Sequence, residues 1–144
     1  MPFSGPPLDD ATPVRHLLRA GTEARADDVA LISLRARWTW RELDDASGRL
    51  ARNLLGLGLR PGDRVASLMP NRPALVVHYL ACLRAGLVAT PLNYRYMPPE
   101  IDHALKVSGA SLLLHHVERD DDIAASHFGR RLQKGVVRYK ATDA

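Results

Sequence analysis

Pro61–Asn93 reads PGDRVASLMPNRPALVVHYLACLRAGLVATPLN, and this stretch decides the fold. A Pro-Gly turn leads into Val65-Ala66-Ser67-Leu68-Met69, an apolar run long enough for one buried strand. Asn71 is placed to cap the next helix, with Pro73 in its first turn, where a missing N–H costs little. Val76, Tyr79, Leu80 and Leu83 recur at i, i+3, i+4 and i+7 and predict an inward-facing stripe. Gly86 supplies the stop, and Leu87-Val88-Ala89 opens a second apolar run closed by Pro91. Strand, helix and strand over about 30 residues form a βαβ unit. Its crossover requires the two strands to run parallel.

Upstream, Thr39 and Glu42 have the spacing of a capping box, each side chain reaching the other's backbone N–H. The helix they open carries Leu43, Ala46, Leu50, Leu54 and Leu57 on one face. Arg41, Asp45, Arg49 and Arg52 lie on the opposite face, with Asp45 and Arg49 spaced to pair, and Gly58 ends the helix. Val29–Leu34 and Trp38-Thr39-Trp40, joined by a turn at Arg35-Ala36-Arg37, predict a small antiparallel hairpin. Before it, a helix from about Thr12 to Arg25 is expected, with Thr12 as cap and Pro13 at the first helical position.

Downstream, Pro98–Ser108 predicts a helix with Ile101, Ala104 and Leu105 inward and Gly109 at its end. Ser111–His115 predicts the next buried strand. Asp120-Asp121-Asp122 marks a turn and a helix N-terminus, Ile123–Leu132 supplies material for that helix, and Gly135–Tyr139 for a last strand.

Composition is that of a globular protein, 46% hydrophobic and 25% charged, and 144 residues suffice for one core. Residues 1–126 hold 15 cationic and 15 acidic side chains, so the formal charge of +4 arises in the last 18 residues. There Arg130, Arg131, Lys134, Arg138 and Lys140 face one acid, Asp143. A basic tail without interleaved aromatics across the body argues against nucleic-acid binding. Met1–Asp10 has no signal-peptide pattern, and the longest apolar region is broken by His78 and Arg84, so a cytoplasmic protein without a membrane span is expected. The single cysteine, Cys82, excludes a disulfide framework and reads as a small core residue.

Several tempting motifs resolve into structure. Gly56, Gly58 and Gly62 close a helix and precede a strand, the reverse of a phosphate-binding glycine loop, which excludes a dinucleotide-binding module. His115 and His116 are adjacent on a strand, so their imidazoles point to opposite faces and no metal site is expected. Asp120–Asp122 lacks the glycine and distal glutamate of a calcium loop, and Ser67 and Ser108 lack a nucleophile's context.

The order GDRVA, Pro-Asn, an apolar helix ending Leu-Arg-Ala-Gly and a strand ending Pro-Leu-Asn resembles the N-terminal domain of the AMP-forming acyl-CoA synthetases. Trp38-Thr39-Trp40-Arg41-Glu42-Leu43 matches that family's aromatic-Thr-aromatic-x-Glu-Leu pattern, and Pro99-Glu100-Ile101 and Ser108-Gly109-Ala110 match its next helix and strand. The resemblance covers roughly Thr12 to Leu114. It implies an α/β fold, namely part of a three-layer domain with a mainly parallel sheet, flanking helices and an N-terminal β-hairpin. It also implies ligase chemistry that uses ATP, Mg and coenzyme A to activate a carboxylic acid as acyl-AMP and pass it to a thioester, as in fatty acid metabolism. Asn93, Tyr94 and Arg95, in the loop after the Pro-Leu-Asn turn, correspond to a loop beside the coenzyme A path. Arg95 is suited to a nucleotide phosphate through its guanidinium fork.

The family's Ser/Thr/Gly-rich Pro-Lys loop, its aromatic-x-x-Thr-Glu segment, its ribose aspartate and its catalytic lysine have no counterpart among these residues. No catalytic residue is therefore assigned, and the chain alone is expected to bind none of these cofactors and to be inactive. The expected organisation is a loose terminus over 1–11, the first part of the ligase domain over 12–126 and a basic segment over 127–144. The expected partner is the remainder of the ligase domain or a second copy. The alternative is a non-catalytic stand-alone domain that associates with a partner or complements a split ligase.

Overall fold

The apolar run after Pro61-Gly62 forms β3 (Arg64–Leu68), the centre of the molecule, in a computed structural model that describes residues 18–140. Around it the chain forms, in order, α1 (Arg19–Arg25), β1 (Val29–Ile32), β2 (Arg37–Thr39) and α2 (Trp40–Gly56). After β3 come α3 (Pro73–Ala85), β4 (Val88–Pro91), α4 (Pro98–Ser108), β5 (Leu112–His116), α5 (Asp120–Ala125) and β6 (Val136–Tyr139). β4, β3, β5 and β6 lie side by side in that order, every neighbouring pair parallel, with Val65 opposite Ala89 and Leu112. β1 and β2 form the antiparallel hairpin, with an irregularity between Val29 and Leu31.

Strand alternation divides the core into two faces. Val65, Leu112 and Leu114 meet Ala51 and Leu54 of α2 and Ala81, Cys82 and Ala85 of α3. Ala66, Leu68 and Leu113 meet Ile101 and Leu105 of α4 and Ile123 of α5. The result is the expected three layers. A third cluster, Leu18, Leu43 and Val77, seats the hairpin through Leu31 and Trp38, with Trp40 at the start of α2 beside them. Gly21 allows α1 to lie on the Trp40 indole, since a Cβ there would fall 2.3 Å from the ring.

The predicted capping box at α2 forms: Glu42 N–H donates to Thr39 Oγ1 at 3.1 Å and Thr39 N–H to Glu42 Oε2 at 2.8 Å. Gly86 and Gly109 close α3 and α4 in left-handed conformation. Other expectations need correction. Arg72, not Asn71, is the N-cap of α3, because Pro73 at the first helical position holds its predecessor extended at φ −135° and ψ 165°. α3 is apolar on nearly every side, so the Val76-Tyr79-Leu80-Leu83 stripe does not mark its inner face. Val77, His78, Ala81, Cys82 and Ala85 are buried instead, while Tyr79 is 39% exposed.

On α2, Leu57 lies beyond the last turn and is 47% exposed. Asp45 and Arg49 form no ion pair; the neighbouring Asp44 takes that role with Arg84 of α3. Arg84 Nη1 donates to Asp44 O at 2.7 Å, Asp44 Oδ1 at 2.8 Å and Ser47 Oγ at 3.0 Å, tying the two helices together. The helix expected over Ile123–Leu132 starts earlier and stops at Ala125. Ser126 Oγ donates to Asp102 Oδ1 at 2.5 Å and accepts the Gly129 N–H at 2.9 Å, which turns the chain into a 3₁₀ segment at Gly129–Arg131. Of the first predicted helix, Arg19–Arg25 is observed; Thr12 and Pro13 lie outside the described residues.

Candidate functional site

In a parallel sheet the carboxyl ends of all strands open on one edge, where the following loops can converge on a ligand. Here the loops after β3, β4 and β5 meet. Pro91 ends β4, and Asn93–Tyr96 closes a turn in which Tyr96 N–H donates to Asn93 O and Arg95 N–H to Asn93 Oδ1, both at 3.0 Å. Residues 93–95 with Met69, Pro70 and Asn71 after β3, and Leu75 and Tyr79 of α3, line an open cleft of about 540 Å³. Arg95 is exposed at its rim and forms no ion pair with a described residue.

Asn93, Tyr94 and Arg95 thus lie at the carboxyl edge of the sheet, and Asn93 shapes the turn through its side chain. Reasoning on the sequence missed the residues that hold this loop, Glu118 and Arg119, just past β5. The Tyr94 hydroxyl donates to Glu118 Oε1 at 3.1 Å, and Arg72 Nη2 reaches the same carboxylate at 3.4 Å. The Arg119 guanidinium donates to the Tyr94 and Tyr96 carbonyls and, through Nε, to Asp122 Oδ2 at 2.7 Å. Its Cζ also stands 5.4 Å from the Tyr94 ring centroid. Desolvation, and then the Glu118 carboxylate, push the Tyr94 phenol above its ordinary pKa, so the hydroxyl stays a donor. A Glu-Arg pair two residues past a buried strand was the available signal.

A family model described as AMP-binding enzyme matches residues 18–143. The chain belongs to this family. It is 47% identical over 105 residues to a feruloyl-CoA synthase of an Amycolatopsis species, a match covering 73% of this chain and 21% of that protein. It is 37% identical over 112 residues to a long-chain-fatty-acid–CoA ligase of Escherichia coli O6:H1, covering 77% and 18%. Among solved structures, the benzoate CoA ligase of Burkholderia xenovorans LB400 superposes with a TM-score of 0.77 at 24% identity, over 89% of this chain and 25% of that one, a likeness of fold. The chain spans about a fifth of the length of the curated relatives it matches, and corresponds to the N-terminal part of AMP-forming acyl-CoA synthetases.

Several of the polar residues that invite chemistry have partners elsewhere in the fold. His115 Nδ1 lies 3.0 Å from His116 O, while His116 Nδ1 accepts the Glu118 N–H at 3.3 Å and its ring meets Tyr139 edge-on at 5.2 Å. The two imidazoles therefore serve separate partners. Asp120 is occupied by Arg138 at 2.7 Å. His78 is wholly buried, and desolvation lowers its pKa to about 4. Cys82, with its Sγ 3.9 Å from His78 Nδ1, is buried in the core, and desolvation raises its pKa to about 12, which removes thiolate reactivity. Among the described residues no helix is long and apolar enough to cross a membrane.

Proposed function

We propose that this chain is the first part of the large domain of an acid–CoA ligase and supplies the scaffold and one ligand-facing loop. The complete enzyme activates a carboxylic acid with ATP and Mg as acyl-AMP, then forms a thioester with coenzyme A. The observation that supports this most is the family match across 18–143, coinciding with a parallel sheet whose loops converge at one edge. The residues present do not fit the ATP triphosphate. Among the three lysines, Lys106 lies on α4, Lys134 beside Gly58 and Lys140 just past β6, none in a glycine-rich loop. Phosphoryl chemistry develops charge that positioned cations must stabilise, so the 144 residues alone carry out no adenylation.

Arg95 fits a phosphate of coenzyme A: it is exposed, unpaired with a described acid, and held at the ligand edge. Asn93 and Tyr94 shape and support its loop. The substrate acid and the rest of the ligase meet the chain at this edge, in a reducing cytoplasm. Acid-dependent pyrophosphate–ATP exchange should be absent from the purified chain, and a measurable rate would overturn the inactive reading. The intact mass of the native gene product in its host tests the rest. Several times 15.9 kDa supports the ligase.

A mass near 15.9 kDa would instead favour the second reading, a stand-alone, non-catalytic domain that binds a partner or complements a split ligase. Its support is that, among the described residues, β4 and β6 each pair on one side only, leaving two open edges. Sedimentation as a stable monomer at micromolar concentration would count against it.

A further inference from the structure

The loop that carries Arg95 is held mainly from outside itself. Its internal bonds, both to Asn93, close a turn without fixing where that turn sits on the sheet edge. The two carbonyls that flank Arg95, those of Tyr94 and Tyr96, both accept from Arg119, more than 20 residues away in sequence. Arg119 is 8% exposed and its Nε is engaged by Asp122, so three acceptors orient one planar guanidinium. Glu118, its neighbour, takes the Tyr94 hydroxyl and Arg72, which joins the loop after β3 to the same anchor.

We propose that Glu118 and Arg119 form a latch at the end of β5 that sets the position of Arg95, with Arg119 a positioning residue for the phosphate-facing loop. The proposal rests on the reading of Arg95 given above. Geometry gives the reason for an arginine: a fork can meet two carbonyls while its Nε stays on Asp122, and a lysine ammonium, a compact point charge on a flexible stem, cannot span all three. The latch leaves the Arg95 side chain facing outward because both contacts on either side of it are to backbone.

Site-resolved amide exchange on the 144-residue chain tests this. Arg119→Lys keeps the charge and removes the fork; exchange at Arg95 and Tyr96 should rise at least about tenfold while β3 and β5 keep their protection. Unchanged loop exchange, or a uniform rise across β3 and β5, would overturn the latch. If Arg119→Lys does not fold, Tyr94→Phe decides, because it removes only the bond to Glu118: about a threefold rise confined to the loop supports the latch and no rise overturns it. Coenzyme A titration of the complete ligase, with and without Arg95→Ala, separates the two claims. Undiminished affinity overturns the phosphate reading whatever the exchange data show, whereas weakened affinity with unaltered exchange in the latch variants overturns the latch alone.

Discussion

At the amino edge of the sheet the chain enters β3, β4, β5 and β6 just after Gly62, Gly86, Gly109 and Gly135, all with positive φ, whereas at the carboxyl edge no described residue has positive φ and side chains add to the Leu92 N–H bond to Ser67 O in joining the loops. The amino-edge turns bond one another through backbone: Gly62 N–H to Gly86 O and Lys134 N–H to Ser111 O, both at 2.8 Å. The carboxyl edge uses Arg72, Tyr94, Glu118 and Arg119. Backbone turns demand a conformation and hold the strands in register. Side-chain latches demand particular chemistry and can be exchanged without moving the sheet. One edge rests on backbone conformation, the other on side-chain chemistry.

The layer shared by both edges sets the largest expected effect. His78 is neutral in the fold because desolvation lowers its pKa from 6.5 to about 4, so the unfolded chain binds more protons between those values. Stability should therefore fall as pH drops from 6.5 through 4, by about 3 kcal/mol in all, and level off below. Urea unfolding at pH 7.5, 5.5 and 4 measures it, and His78→Leu should remove most of this slope. A slope unaltered by that substitution would mean that other groups dominate.

The amino edge comes next. Gly86 has φ +73°, and a Cβ there would stand 3.3 Å from Pro61 Cβ, so Gly86→Val should cost about 2 kcal/mol. Thermal unfolding would show it, and a wild-type midpoint would remove the strain argument for this edge. Thr39→Ala, which deletes the α2 cap away from both edges, should cost about 1 kcal/mol by urea denaturation and calibrates a purely local loss. The smallest stability effect belongs to the carboxyl edge. Arg95→Ala should shift the stability of the chain by less than about 0.5 kcal/mol while weakening coenzyme A binding by the complete ligase, a split that urea unfolding of the one and isothermal titration of the other can read. A large stability loss in Arg95→Ala would erase the contrast between the edges.

The features legible in the sequence were those encoded within a few residues. The Thr39–Glu42 box, the Gly86 and Gly109 stops and the apolar runs of β3 and β5 all act over one helical turn or one strand. The same locality explains the misses. A helix as evenly apolar as α3 carries no periodic signal for its inner face, and Asp44 prevails over Asp45 only because Arg84 of another helix lies beside it. At the candidate site Asn93 and Arg95 were visible in the loop after the Pro-Leu-Asn turn, while Glu118 and Arg119 were missed, because their partners in that loop lie more than 20 residues away in sequence.

By itself, then, the sequence determined the element order, the parallel βαβ unit, the hairpin and the family. Each follows from local spacing, turn chemistry or a contiguous motif. Only the tertiary structure decided the strand order β4-β3-β5-β6, the buried sides of α2 and α3, and the hold of Arg119 on the Tyr94 and Tyr96 carbonyls. Those depend on contacts between residues tens of positions apart, which form once packing brings the ends of separate strands onto one edge.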